Sequence, residues 1–582
     1  MIRWIALAAG LAMMTASALS REFERVQLTI PLSMAIGFIV ARWLTQQPAR
    51  QLQLFWEEVG TKRIHWVIPS IFTLFLALLP SLIRGHFPYP GNHDELSYHL
   101  AADTYVHGRF SNPTPAGWEH FESFHINVVP GYHSKYQPGM GIALAVGQLL
   151  GHTYFGVLLA LLLATSVLSW TFQQWLPARW AWLASILAGL LMSSNWSDCY
   201  FVGGPLAATG SALLLGTYRQ LWHRPARSID GLFLAMGLVL LAWTRPFEGV
   251  IVSTLIGIPT LYLLLSKTNR MNFLCKVMPA ALLALVPAGY LQLQLNKACT
   301  GNKFLMPYLE HERQYGRTPL FLISSPRHEI PAYQHEQIRL FNQQMFEWYE
   351  MQRNPAQWFT IARFKFGVAW TCFFGLLWLI PLATLPELLE RKDTAFLLLI
   401  WVATLTILTS VSWFLHHYAA PAFPAWTMVI VFGIRFLCFW KYRNFRLGVF
   451  IAIMLLTGYV SQVVFERAMA GVQSGSAWTE QREKIKRELL SQGEKHLVLL
   501  TYGKGHNTGQ EWVYNNADLA NQPIIWARSI TDAKNDTLIG QYPDRIVWHL
   551  HADSNNQDKP ICLERYGNSR QFQRRTTNNF SN

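Results

Sequence analysis

Apolar runs of about 15 to 20 residues recur along this chain from Ile2 to Phe465, each long enough or nearly long enough to cross a hydrocarbon core of about 30 Å. Inside lipid every backbone N–H and C=O must find a partner within the structure, so only helices and closed barrels can span it. A barrel strand alternates apolar and polar residues, and these runs are continuous, which excludes it. Charged residues make up 14% of the chain, against about 25% in soluble proteins. The sequence therefore predicts a polytopic α-helical membrane protein. Expected spans lie near 2–19, 26–44, 64–83, 139–172, 180–194, 199–217, 229–246, 250–265, 277–296, 368–385, 394–412, 420–440 and 447–465, about thirteen in all. The stretch 139–172 is too long for one simple crossing, and its first third, Gly139 to Leu150, reads as an interfacial helix leading into a span from Thr153.

Lys and Arg set the orientation, because positive loops stay in the cytoplasm. The loops 45–63, 173–179, 218–228, 266–276, 386–393 and 441–446 hold 15 Lys/Arg in 62 residues, and the short opposite loops hold 3 in 22. The N-terminus is then inside and the C-terminus outside. Met1-Ile2-Arg3 and Ala16-Ser17-Ala18 resemble a signal peptide, but a second span follows almost at once and a retained first helix is expected. The formal charge of +14 is accounted for by cytoplasmic loops and a basic tail, with no nucleic-acid partner expected. Six cysteines without C-x-x-C spacing give no support for a zinc or redox site. Cys299 and Cys562 both fall on the outer side.

Four parts follow: an N-terminal two-helix hairpin over 1–63, a transmembrane domain over 64–465 with long outer loops 84–138 and 297–367, a small α/β extracytoplasmic domain over 466–553, and a polar tail over 554–582 expected to be disordered. In the small domain, Trp478 to Gln492 and Gln510 to Leu519 read as helices, and His496 to Tyr502, Pro523 to Arg528 and Arg545 to His551 as strands. All three long polar segments lie on one side, so the recognition surface is expected there.

The first outer loop carries His93-Asp94-Glu95-Leu96-Ser97-Tyr98 just past Pro88, Pro90 and Gly91. Adjacent carboxylates near hydrocarbon are costly and usually kept for a task. Glu95 to His107 reads as a helix lying on the membrane surface, with Asp94 and Tyr98 sharing a face. Acids at a helix N-terminus also gain from the dipole, so capping alone is the plain alternative. Lys135-Tyr136 precedes re-entry into the membrane, where a fixed cation suits a lipid phosphate or simply snorkels to headgroups. Arg245 and Glu248 lie at an outer helix end, as do His416 and His417, whose adjacency argues against chelation by that pair. The loop 297–367, with His311, Arg313, His328 and His335, is expected to cover the cavity or read an acceptor.

Taken in order, the Asp94-Glu95 pair after an early span, Tyr98, an Ala101-Ala102 helix ending at Gly108, and Lys135-Tyr136-Gln137-Pro138-Gly139 resemble the GT-C glycosyltransferase superfamily. The resemblance is to bacterial members similar to dolichyl-phosphate-mannose protein mannosyltransferases and aminoarabinose transferases. It is strongest over 64–250 and weaker to 465, and Gln137 stands where many relatives have Pro. Tyr502-Gly503, Glu511-Trp512-Val513-Tyr514-Asn515 and Trp526-Ala527-Arg528 are similar to tails of such enzymes. The resemblance implies transfer of a sugar from a polyprenyl-phosphate carrier to a protein, lipid or glycan acceptor, with inversion, at the outer face of a bacterial cytoplasmic membrane. Asp94 is then the general base, and Lys135 and Arg245 lead the candidates for a phosphate clamp, with His93, Tyr98, Tyr136, Glu248, His416 and His417 as further substrate-binding candidates. Glu95 could orient the acceptor, hold a divalent cation or face water; no other cofactor is called for. A transporter or flippase of a lipid-linked substrate is the rival class, and it would place ionisable groups near mid-membrane.

Overall fold

The computed structural model describes residues 34–43, 66–373, 375–443, 445–472, 477–503, 505–552, 561 and 563–567. The expected first span, the signal-peptide-like segment, most of the 1–63 hairpin, Cys562 and most of the 554–582 tail lie outside these residues. Met34–Trp43 is a short apolar helix within the second expected span.

The described residues from 66 to 472 are mostly helical and form a bundle with the helices of its two long loops. Its helices are α1 (Val67–Arg84), α2 (His93–Val106), α3 (Pro138–Leu149), α4 (Tyr154–Trp175), α5 (Ala178–Trp196), α6 (Gly203–Leu221), α7 (Ser228–Thr244), α8 (Pro246–Leu264), α9 (Met278–Thr300), α10 (Pro307–Tyr315), α11 (Glu336–Arg353), α12 (Pro355–Phe373), α13 (Lys392–Leu408), α14 (Phe423–Leu437) and α15 (Leu447–Val472). Among the described residues six helical stretches are long and apolar enough to cross a membrane, including α1, α4, α8 and α15. Helix α6 is buried along nearly its whole length between α4, α7 and α8, so its Thr and Ser side chains never meet lipid.

One expected span divides as the sequence reading has it and another departs from it, in ways Gly and Pro explain. The long 139–172 stretch is two helices, α3 and α4, turning at Gly151, whose φ of 111° a side chain would resist. The 368–385 span is not one helix. It breaks after α12 at Gly375 and continues as short 3-10 turns over Leu376–Leu379 and Pro381–Thr384, since Pro381 and Pro386 remove donors from the ladder.

Beyond α15 stands the α/β unit, with helices α16 (Ala477–Leu490) and α17 (Asp532–Gln541). After a two-stranded ribbon of β1 (Ile126–Asn127) and β2 (His133–Ser134) in the first outer loop, the unit contributes β3 (His496–Thr501), β4 (Ile524–Arg528), β5 (Ile546–His551) and β6 (Leu563–Arg565). The sheet order is β4-β3-β5-β6, with β3 parallel to both neighbours and β6 antiparallel to β5. Strand β6 lies past residue 553, inside what the sequence reads as disordered tail. The expected helix over Gln510 to Leu519 is absent. There Glu511 accepts from the Val513 N–H and Asn515 from the Trp526 N–H, local bonds that compete with a helical ladder.

The unit docks on the first outer loop through apolar side chains from both of its faces. Leu96 of α2 joins Trp512, Trp526 and Leu500; Phe121 joins Leu497 and Ile525; Leu100 and Tyr132 join Ala517. Helix α2 therefore turns an apolar face to protein. Leu96 and Leu100 are buried beneath the α/β unit, and α3 packs against another side.

Candidate active site

Asn92 caps α2, its side chain accepting the Glu95 N–H at 3.1 Å, as an N-cap should. Successive helical residues point about 100° apart, so the two acids of the pair diverge. Glu95 turns inward. Its Oε2 accepts the Gly91 N–H at 2.6 Å and its Oε1 the Tyr200 N–H at 2.8 Å. Burial pushes its carboxyl up to about 7, although those N–H bonds oppose the shift. With both oxygens held by backbone, Glu95 is a positioning group that ties the start of α2 to the segment before α6.

Asp94 turns the other way and keeps 23% of its side chain exposed. The Tyr136 hydroxyl donates to Oδ1. His125 Nε2 lies 3.6 Å from Oδ1, and His93 Nδ1 3.5 Å from Oδ2. Burial lowers both imidazoles, His125 most strongly, so both rings are neutral near pH 7. Burial, followed by the Asp94 charge, raises Tyr136 well above the ordinary phenol range, which keeps its proton in place to donate. His125 is held by its backbone: its φ is 61°, and the Ser97 hydroxyl donates to its carbonyl at 2.7 Å.

Lys135 follows β2, with Nζ 3.4 Å from Glu312 Oε1 and 5.0 Å from the centre of the Tyr308 ring. Burial alone would raise Glu312, but Lys135 and His311 overcome it and hold the carboxyl at about 2. Burial drops His311 to about 4. These groups come from α10, and α11 adds Phe341, whose ring centre lies 5.3 Å from His93, 4.9 Å from Phe124 and 5.7 Å from His125. The 297–367 loop thus packs against the surroundings of Asp94 through Phe341.

Aromatic rings connect the surroundings of Asp94 with Arg245. Tyr136 meets Tyr98 at 4.6 Å, Tyr98 meets Phe201 at 5.7 Å, and Phe201 meets His417 at 5.0 Å. Tyr418 follows, and the Arg245 guanidinium lies 4.4 Å from the centre of its ring. The His416 and His417 rings are 83° apart, and His416 packs on Phe373 instead. Glu248 is buried in the first turn of α8, within reach of the Arg245 charge. His93, Tyr98 and Tyr136 thus lie beside Asp94, Lys135 is within electrostatic reach of His93 and His125, and Arg245 is within reach of Tyr98 and Tyr136. His417 packs on Phe201, His416 on Phe373, and Glu95 is held by backbone amides. Sequence reasoning gave no role to His125, Glu312, Tyr308 or Phe341. Only the loop position of His125 hinted at it.

His93, Asp94 and His125 form the one group of three ligand-type side chains among the described residues whose donor atoms all lie within 4.8 Å of one another. Two neutral imidazoles and a carboxylate suit a borderline divalent ion such as zinc. The buried Nδ1 of each ring makes no hydrogen bond.

No family model matches the chain, and no curated protein matches it in sequence. Among solved structures it is similar to ArnT from Cupriavidus metallidurans bound to undecaprenyl phosphate, at 12% identity and a TM-score of 0.49, over 85% of this chain and 93% of that one. It is similar also to the Archaeoglobus fulgidus oligosaccharyltransferase in complex with zinc and sulfate, at 12% identity and a TM-score of 0.46, over 84% of this chain and 67% of that one. The functional reading rests on the residues of the site.

Proposed function

We propose that this chain is an integral-membrane glycosyltransferase of the GT-C type. In this reading it moves a sugar from a polyprenyl-phosphate carrier to an acceptor at the outer face of a bacterial cytoplasmic membrane, with inversion. The observation that carries the reading is Asp94: a part-exposed carboxylate at the start of α2, fixed by Tyr136 and flanked by neutral imidazoles.

The step needs one base and one cation. An acceptor hydroxyl loses its proton to Asp94 as its oxygen attacks the anomeric carbon; the bond from that carbon to the phosphate oxygen breaks, and the phosphate leaves with the electron pair. Phosphate is already a good leaving group, so no strong general acid is required. In this reading Lys135 and Arg245 are the cations that steady its developing charge. Glu95, locked by two backbone amides, aims Asp94 and handles no proton of the reaction. A divalent ion held by His93, Asp94 and His125 would acidify an acceptor hydroxyl; the unpartnered Nδ1 of His93, the atom that faces Asp94, favours that variant of the same reaction.

The test is Asp94→Asn in a strain lacking the chromosomal copy, with surface glycans read by mass spectrometry and membrane insertion by immunoblot. Loss of the base should cut transfer by about 10²- to 10⁴-fold. Undiminished transfer by the inserted variant removes Asp94 from the mechanism.

A further inference from the structure

At the end of the bundle opposite the Asp94 site, a cavity of about 550 Å³ is lined by Trp175, Arg391, Lys392, Asp393, Thr394, Phe432 and Arg435. The helix directions place it there. Helices α4 and α6 start near the outer site and end at Trp175 and Leu221; α14 starts beside His417 and ends at Leu437; α13 runs the other way, beginning at Lys392. The 22 residues of α4 alone correspond to about 33 Å at 1.5 Å per residue. These ends belong to the loops that the Lys/Arg bias assigns to the cytoplasm.

The charge around this cavity is one-sided. Its single acid, Asp393, is held bidentately by Arg219 at 2.9 and 3.1 Å. Arg219 in turn lies 5.0 Å from the centre of the Trp175 ring. Among the described residues no carboxylate pairs with Arg391, Lys392 or Arg435. Arg391 rests against the ring of Phe436 at 5.6 Å, and both Arg391 and Arg179 lie within electrostatic reach of Arg435. Positive loops are ordinary on this side of a membrane protein. Cations that converge on a walled cavity are not, because each raises the cost of the next unless an anion joins them. Trp175 and Phe432 supply an apolar wall of the kind a lipid glycerol and acyl root would need.

We propose that this cavity binds a phosphate-bearing anion: the phosphate of an anionic lipid headgroup, or free inorganic phosphate from the cytoplasm. Basic pockets between helix ends on the cytoplasmic side are suited to such headgroups, and guanidinium forks match phosphate oxygens geometrically. This site is separate from the outer one, and the proposal does not depend on the reaction proposed there.

The full-length protein is reconstituted into phosphatidylcholine vesicles with or without phosphatidylglycerol. Retained phosphatidylglycerol is measured by native mass spectrometry, and inorganic phosphate is titrated separately against thermal unfolding. Arg435→Gln and Lys392→Gln should each weaken anion binding by about fivefold, the value of one interfacial cation. Asp393→Asn should strengthen it by a similar factor, because it removes the acid and frees Arg219; a misfolded variant would not gain affinity. Retention that tracks the substitutions identifies a lipid headgroup. A phosphate-dependent shift that tracks them without selective lipid retention identifies free phosphate. Equal phosphatidylglycerol retention and equal phosphate response across the parent and all three variants overturns the proposal.

Discussion

Arg528 joins the α/β unit to the loop that carries His125, and its substitution is the sharpest test of the architecture. The side chain is 2% exposed and donates to Glu511, itself 1% exposed. Its Nε also donates to the Glu122 carbonyl at 2.7 Å, and the Arg528 carbonyl lies 2.7 Å from His120 Nδ1. Tyr502 completes the cluster by donating to Glu511 at 2.7 Å. Removing one member of such a pair strands the other charge in a dry interface, at about 3–5 kcal/mol. Arg528→Met and Glu511→Gln should therefore each cost about that much, whereas the double variant, leaving no naked charge, should cost well under their sum. If the loss falls on docking, backbone amides of 119–125 and 496–528 should exchange about 10²- to 10⁴-fold faster, at a factor of ten per 1.4 kcal/mol. Hydrogen exchange read by mass spectrometry measures this peptide by peptide. Parental protection in Arg528→Met, or a double variant whose cost equals the sum of the singles, would refute the idea that Arg528, paired with Glu511, holds the unit against the loop.

Two further outcomes follow from the site. Lys135→Met should raise the KM for a polyprenyl-phosphate donor by about tenfold or more, from the loss of a charge-assisted contact, while leaving the acceptor KM near the parental value; the reverse pattern in steady-state kinetics would move Lys135 to the acceptor side. Glu95 has a carboxyl pushed up from 4.5 to about 7, so its contribution to stability is complete below pH 4.5 and lost as pH rises through about 7, on the order of 3 kcal/mol. Glu95→Gln should flatten that part of the Tm–pH profile at the cost of a constant offset from one lost acceptor; an unchanged slope would assign the pH dependence to another group.

Most of the apolar helices and three strands of the α/β unit were legible because each depends on a local pattern: continuous apolarity for a helix in lipid, short buried runs for a parallel sheet. Long-range docking was not. Leu96, with Ala101, Ala102 and Val106, reads as the apolar face of a membrane-surface helix, because periodicity shows that a face is apolar but not what covers it. The α/β unit, some 400 residues downstream by its partner Ala517, supplies the cover. The same limit hid His125, Glu312 and Phe341. They come from the first outer loop, α10 and α11, and no spacing links them until the chain is folded. Lys135 and Tyr136 could be singled out because their place beside a re-entry point is itself a local signal.

The division of labour within the acidic pair follows from helix geometry once Asn92 is the cap. Position N3 faces back over the cap, where orphan N–H groups point, and Glu95 fills it by accepting from Gly91 and, across the fold, from Tyr200. Position N2, about 100° round the helix, then faces out from that cap, and Asp94 occupies it with only a tyrosine proton fixed to it. Glu95 is placed to hold the turn that aims its neighbour, and each acid needs the other's position to be filled as it is. Exchanging the two side chains, in an Asp94→Glu, Glu95→Asp variant, would preserve charge and composition, yet Asp at N3 is one methylene too short to reach both amides. The geometry therefore expects the swapped pair to lose the aim of the helix start as well as the chemistry. A pair acting as interchangeable negative charge would retain both.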